Sequence, residues 1–185
     1  MNHERLWAPW RLDYVKKSEA ADESPPQPAA WIDGADTKCF LCQAAAHYHP
    51  SANADRRLLV ALRGSHTLVV LNRYPYNNGH VLVSPLRHVG ELAELTQGEH
   101  VESMETLARL TGIYRERLSA EGFNIGLNLG RVAGAGVPGH LHWHLVPRWP
   151  GDNNFMPVLA GTRVIPQSLD ALWELLADAL GRMND

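Results

Sequence analysis

Gly139-His140-Leu141-His142-Trp143-His144-Leu145-Val146-Pro147 sets three histidines two residues apart among apolar side chains. Residues two apart share one face of a β-strand, so the spacing predicts an extended segment with His140, His142 and His144 on one side. Leu141, Trp143 and Leu145 then point the other way, into a core, and Pro147 suits the end of the strand. At ~3.3 Å rise per residue the imidazoles repeat every ~7 Å on a rigid support. Near neutral pH an imidazole can serve as nucleophile, proton donor or metal ligand, so the row is a platform for chemistry as well as a constraint on the fold.

The surrounding pattern supplies partners for such a strand. Leu58–Leu62, Thr67–Asn72 and His80–Ser84 are strand-like, the first two joined by a turn at Arg63-Gly64. A short helix is expected over Glu91–Leu95. Thr96-Gln97-Gly98-Glu99 has the form of a capping box opening a long helix. Val101, Met104, Leu107, Leu110, Ile113, Tyr114 and Leu118 form its apolar stripe, and Gly122 is placed to close it. Phe123–Leu129 returns to strand, a glycine-rich loop spans 130–139, and Val164-Ile165 is expected as a short edge strand. Pro166 then opens a last helix with Leu169, Leu172, Trp173, Leu176 and Leu180 on one face. Strands gathered around one long helix predict an α+β fold with a mostly antiparallel sheet.

At 185 residues the chain fits a single domain, 1–185, with room for a proper core. Residues 4–17 are too apolar for a free tail and are expected to pack on the domain or on a partner subunit. Residues 18–37, with Pro25-Pro26-Gln27-Pro28, read as a flexible loop within one fold. The net charge of −3 provides no global basic field for nucleic acid or anionic lipid. A polyphosphate must therefore meet a local site, which fits a small nucleotide better than a polymer. Early charges (Glu4, Arg5, Arg11) and the lack of an apolar h-region argue against a secretory signal, and no apolar run is long enough to span a bilayer. The expected location is the cytoplasm.

Several residues besides the histidines can carry chemistry. Gly130, Gly134, Gly136 and Gly139 enter the histidine strand from a loop where backbone N–H groups could approach a phosphate, with Arg131 beside them. Asn72 and Asn128 each offer an amide donor and acceptor. Trp149 can stack on an adenine or belong to the core or an interface. Cys39-Phe40-Leu41-Cys42 holds both cysteines of the chain. Such a pair can be redox-active, structural and reduced, or half of a zinc site that needs two further ligands, with His47 and His49 close by.

Together these stretches resemble the histidine-triad (HIT) family of nucleotidyl hydrolases and transferases. Leu71–Pro85 resembles that family's nucleotide-facing hairpin. Gly126–Gly130, Pro147-Arg148-Trp149, Arg5-Leu6-Trp7-Ala8-Pro9 and Val164-Ile165-Pro166-Gln167 are most similar to its bacterial diadenosine tetraphosphate phosphorylase branch. The resemblance implies a five-stranded sheet, a two-fold dimer, and an enzyme acting on adenine dinucleotides without an organic cofactor. It makes His142 the nucleophile at the α-phosphorus and His144 a hydrogen-bond donor to phosphate oxygens or the departing group. It gives Asn72 to the ribose, Asn128, Gly134 and Gly136 to the phosphates, and Trp149 to the nucleotide. It also implies a structural zinc held by Cys39, Cys42, His88 and His140. Where the family carries Gln, Ser or Thr in the phosphate loop, this chain has Ala133-Gly134-Ala135-Gly136-Val137. Phosphorolysis of diadenosine tetraphosphate to ATP and ADP is the implied reaction. Hydrolysis of dinucleoside polyphosphates, hydrolysis of adenosine phosphoramidates, or nucleotide sensing with vestigial activity remain alternatives. In phosphorolysis inorganic phosphate is a second substrate, and Arg131 and Arg148 are the nearest cations in sequence to hold it.

Overall fold

The computed structural model describes residues 25–152 and 165–181. The apolar segment 4–17, the first part of the 18–37 loop and Val164 lie outside the described residues. The described elements are, in order, α1 (Phe40–Ala45), a 3-10 turn (Pro50–Ala52), α2 (Ala54–Arg57), β1 (Val60–Arg63), β2 (Thr67–Leu71) and β3 (Val81–Pro85). They continue with a 3-10 turn (Leu92–Glu94), α3 (Gln97–Leu118), β4 (Gly122–Leu127), a 3-10 turn (Arg131–Ala133), β5 (Trp143–Arg148) and α4 (Leu169–Ala179). The strands form one antiparallel sheet in the order β1-β2-β3-β5-β4. The fold is α+β, as the pattern of strands around one long helix implied.

Every residue of β2 and β3 is buried, which explains why their text is a near-continuous apolar run. α3 packs on β2, β3 and β5, and Leu107, Leu110 and Tyr114 join Trp143 and Leu145 in one buried cluster. The capping box forms: the Glu99 N–H donates to Thr96 Oγ1 (3.3 Å), and the Thr96 N–H donates to Glu99 Oε2 (2.8 Å). Glu99 is buried because its carboxylate also takes a two-pronged bond from Arg87.

The structure corrects five expectations at element ends and faces. Val101 and Met104 are about half exposed (48% and 49%), while Ser103 and Thr106 are buried in the face they were expected to occupy. Small hydroxyl residues fill the line where the helix meets the sheet. α3 ends at Ser119, whose left-handed φ of 52° turns the chain; Gly122 is already the first residue of β4. α4 opens after Ser168, whose hydroxyl accepts the Ala171 N–H, rather than at Pro166, and Ile165 lies in no strand. Finally, β5 begins at Trp143, not at His140. Pairing with β3 stops at Val83↔Trp143; the Leu141 N–H donates to Val89 O (2.7 Å) and the His140 N–H to Val137 O (3.2 Å).

The two sheet edges differ. On β1, the Trp173 indole of α4 donates to Val60 O (2.8 Å) and covers the edge. On β4, Asn124, Ile125 and Gly126 are exposed, and no described element pairs beyond them. No helix among the described residues is long and apolar enough to cross a membrane.

Candidate active site and metal centre

The β2–β3 connection, Asn72 to His80, is pinned from both ends of the fold. The Asn72 N–H donates to His80 O (3.0 Å), and the buried Tyr114 hydroxyl of α3 donates to Gly79 O (2.6 Å). Gly79 is the residue this corner requires. Its φ is +75°, and a Cβ there would lie 2.9 Å from Pro147 and 3.3 Å from Tyr114. The anchored loop delivers His80, 1% exposed, against His144 of β5: His80 Nε2 and His144 Nδ1 are 2.9 Å apart.

Hydrogen-bond partners assign the tautomers of these rings. The Tyr76 N–H donates to His80 Nδ1 (3.1 Å), and the Asn72 amide lies 3.2 Å from the same atom. His80 Nδ1 is therefore an acceptor, so the neutral ring carries its hydrogen on Nε2 and donates it to His144 Nδ1. His144 is left with one polar hydrogen, on Nε2. Burial, and then the neighbouring His142, lower its pKa, which keeps the ring neutral. Next to it, His142 Nδ1 lies 2.8 Å from His140 O. A carbonyl only accepts, so Nδ1 holds the hydrogen and His142 Nε2 carries a free lone pair.

His140 belongs to a second cluster. Its Nδ1 lies 3.4 Å from both Cys39 Sγ and Cys42 Sγ, and His88 Nδ1 lies 3.1 Å from Cys42 Sγ. The four donor atoms all fall within 4.8 Å of one another. A tetrahedral zinc with two thiolates and two imidazoles has ligand–ligand edges of roughly 3.3–3.8 Å, close to this arrangement. The tautomer agrees: His140 Nε2 lies 3.0 Å from Pro85 O and donates to it, which turns the Nδ1 lone pair toward the sulfurs. Burial pushes the Cys42 thiol up to about 12 and, first among several causes, holds His140 down to about 4. Two cysteine sulfurs and two imidazoles gathered in one pocket suit a cation that takes up thiolate ligands on binding. His47 and His49, the rival ligands, instead line a cavity of about 630 Å³ with Tyr48, Arg63 and Trp173.

The remaining expected residues fall in three places. Asn72 and Asn128 are half-buried, and Asn128 Nδ2 would lie 3.8 Å from a Cβ at Gly134, so the asparagine and the glycine loop adjoin. Gly136 is exposed in the same loop, and Arg131 is exposed in the 3-10 turn beside it. Arg148, by contrast, is committed. Its Nε and Nη2 grip the Asp152 carboxylate and its Nη1 donates to Asn124 Oδ1 (2.8 Å). Asp152 in turn accepts from Asn77 (2.8 Å), and its carboxyl is held down to about 2, chiefly by the Arg148 hydrogen bond. Trp149 is half-buried, packing against the hydrophobic cluster with its indole N–H donated to Leu118 O (2.9 Å).

His80 and Tyr76 were inside the stretch that resembled the nucleotide-facing hairpin, yet neither was singled out. Sixty-four residues separate His80 from His144, and no local spacing pairs them.

The five-stranded antiparallel sheet and the row of histidines leading into β5 are the features of a histidine-triad protein. The chain belongs to the HIT family: residues 58–151 match the HIT domain. It is 39% identical over 184 residues to a protein of Mycobacterium tuberculosis named AP-4-A phosphorylase, a match covering 97% of this chain and 85% of the relative. It is 34% identical over 95 residues to a bis(5'-adenosyl)-triphosphatase of Saccharomyces cerevisiae, covering 51% and 46% of the two chains. Among solved structures, a zinc-bound histidine triad family protein from Mycobacterium smegmatis superposes with a TM-score of 0.55 at 29% identity, over 68% of this chain and 86% of that one. The Plasmodium falciparum diadenosine triphosphate hydrolase shares the fold, with a TM-score of 0.55 at 18% identity over 93% and 95% of the two chains.

Proposed function

We propose that this protein is an enzyme that transfers a nucleotidyl group from a dinucleoside polyphosphate through a nucleotidyl-His142 intermediate. The observation that carries the reading is the His142 Nδ1–His140 O bond, which leaves Nε2 as a nucleophile with its lone pair free. Nε2 attacks the α-phosphorus, the bridging P–O bond breaks, and its electron pair leaves on the polyphosphate. A polyphosphate departs as an anion without needing a proton. A neutral His144 giving a hydrogen bond from Nε2–H to the phosphate oxygens is then sufficient. Asn72 holds the ribose, and Asn128 with the backbone at Gly134 and Gly136 holds the phosphates. Trp149 contributes as the wall behind β5 rather than as a base-stacking plate.

The second acceptor is inorganic phosphate in the preferred reading. Its oxygen attacks the nucleotidyl phosphorus, the N–P bond breaks, and the pair returns to Nε2. Diadenosine tetraphosphate then gives ATP in the first step and ADP in the second. The M. tuberculosis relative supports this choice through its name and the length of the match. Because Asp152 occupies Arg148, Arg131 is the better candidate to meet the incoming phosphate. The yeast relative, named a triphosphatase, favours water as the acceptor and is the second reading. Incubation with diadenosine tetraphosphate decides between them. Phosphorolysis requires labelled phosphate to appear in ADP and turnover to slow when phosphate is omitted. Unchanged AMP release without phosphate makes the enzyme a hydrolase, and no turnover of any adenylated substrate makes it a sensor.

Cys39, Cys42, His88 and His140 would hold a structural zinc, a closed set of four protein donors that stabilises the fold around the nucleophile. The open edge of β4, with Ile125 and Leu129 exposed on and after it, supports pairing with a second copy into a homodimer. We place the enzyme in the cytoplasm, where two free cysteines stay reduced.

A further inference from the structure

Tyr76 lies outside the triad, outside the metal pocket and outside the nucleotide contacts proposed above, yet it touches the catalytic relay twice. Its backbone N–H donates to His80 Nδ1. Its ring stacks on the His144 imidazole, centroids 5.8 Å apart and planes 21° apart, and leans on His80 at 4.7 Å. The ring is 54% exposed, so it sits between His144 and solvent rather than in the core. A large aromatic side chain left this exposed on a loop gains little from burial. What it does gain is a parallel contact with the face of the ring that must donate a hydrogen bond.

We propose that Tyr76 is a positioning residue that clamps His144: its backbone sets the His80 tautomer, and its ring fixes the plane of His144 and keeps water off it. The inference rests on the reading of His144 as a neutral Nε2–H donor. An imidazole joined to its strand by two single bonds can swing about its χ angles. The His80 bond fixes one edge of the ring but permits rotation about the N–H···N axis. Stacking removes that rotation, so the remaining Nε2–H keeps one direction. Among the described residues, the titratable and aromatic groups in contact with His144 are His80 and Tyr76 from the hairpin loop and His142 from its own segment. Its strand partners, Leu82 of β3 and Gly126 of β4, carry no charge. The Tyr76 ring, stacked on His144, therefore contributes to its desolvation.

Side-chain replacement leaves the Tyr76 N–H in place and isolates the ring. In Tyr76→Leu, kcat should fall about tenfold while KM for the dinucleotide changes less than about threefold, as expected when a group that acts in the transition state loses its orientation. Tyr76→Phe should restore at least half of the wild-type kcat. NMR titration of the ligand-free protein provides a readout independent of turnover. With the shield gone, the His144 pKa should rise in Tyr76→Leu and stay unchanged in Tyr76→Phe. A tenfold rise in KM with kcat preserved would make Tyr76 a substrate contact and overturn the proposal. So would wild-type kcat, or an unmoved or lowered His144 pKa, in a folded Tyr76→Leu protein. If the wild-type protein turns over no adenylated substrate, the proposed reaction fails, while the titration still tests whether Tyr76 shields His144.

Discussion

His80→Leu tests whether the relay built from hydrogen-bond partners does what its geometry implies. Leucine roughly keeps the volume of a ring that is 1% exposed, so little cavity is created. What disappears is the 2.9 Å donor to His144 Nδ1 and the acceptor of the Tyr76 N–H and the Asn72 amide. A net hydrogen bond of this kind is worth about 1–1.5 kcal/mol, and about 1.4 kcal/mol is tenfold in rate, so kcat should fall roughly tenfold. KM should change little, because the role proposed for His144 is to support charge that develops in the transition state. Two donors left without a partner cost about 1–3 kcal/mol each when buried; since Tyr76 is on an exposed loop where water can substitute, the total should be near the low end, about 1–3 kcal/mol. His80→Gln is the control, since its amide can donate toward His144 and accept from Tyr76 together; it should recover to within about threefold of wild type. The assay is phosphate-dependent release of ATP and ADP from diadenosine tetraphosphate, with thermal unfolding run alongside. Leucine activity within twofold of wild type, or equal loss for leucine and glutamine in folded proteins, would refute the orienting role.

Four further outcomes follow from the same structure. His142→Ala should lower turnover at least ~10³-fold without loss of folding, measured by product release and far-UV circular dichroism. Purified protein never exposed to chelator should carry about one zinc per chain by elemental analysis, and Cys39→Ser should lower the unfolding temperature more than it weakens nucleotide binding. Ser103→Ala should raise the unfolding midpoint, because the Ser103 hydroxyl is fully buried on α3 with no hydrogen-bond partner in the structure and alanine is the better helix former; a gain of about 0.5–1.5 kcal/mol in denaturant titration is expected. Ile125→Asp on the open edge of β4 should shift sedimentation toward monomer, and an unchanged wild-type monomer would remove the proposed dimer.

The parts of the fold that were legible in the sequence are those set by local chemistry. The capping box at Thr96 and Glu99 was readable because both partners lie within one turn. The alternation of Leu141, Trp143 and Leu145 was readable because a strand face repeats every second residue, and all three are buried. What escaped depends on partners far along the chain. The apolar stripe of α3 misplaced Val101 and Met104 because hydrophobicity alone does not tell which line of a helix meets a close-packed sheet. The extent of β5 was overestimated because the Leu141 N–H finds Val89 rather than the β3 ladder. Arg148 looked like a free cation until Asp152, four residues on, proved to hold it. His80 required a third-dimensional meeting that no motif spacing encodes.

His140 shows how the two clusters depend on one another. Its Nδ1 faces the cysteines, its Nε2–H is spent on Pro85 O, and its carbonyl accepts from His142. The acceptor that keeps the hydrogen on His142 Nδ1 is thus the main chain of a residue whose side chain is a metal-site donor. A shift of the His140 peptide would lengthen a 2.8 Å bond and release the tautomer, so the proposed nucleophile would depend on the rigidity of the cysteine pocket. The same geometry argues against direct participation of the proposed zinc in the reaction. His142 commits its Nδ1–H to the His140 carbonyl, and Cys39, Cys42, His88 and His140 would supply all four donors of a tetrahedral ion. The influence of a bound zinc on turnover would then be mechanical, passing through one peptide carbonyl, and its removal should cost orientation of His142 before it costs any step of the chemistry.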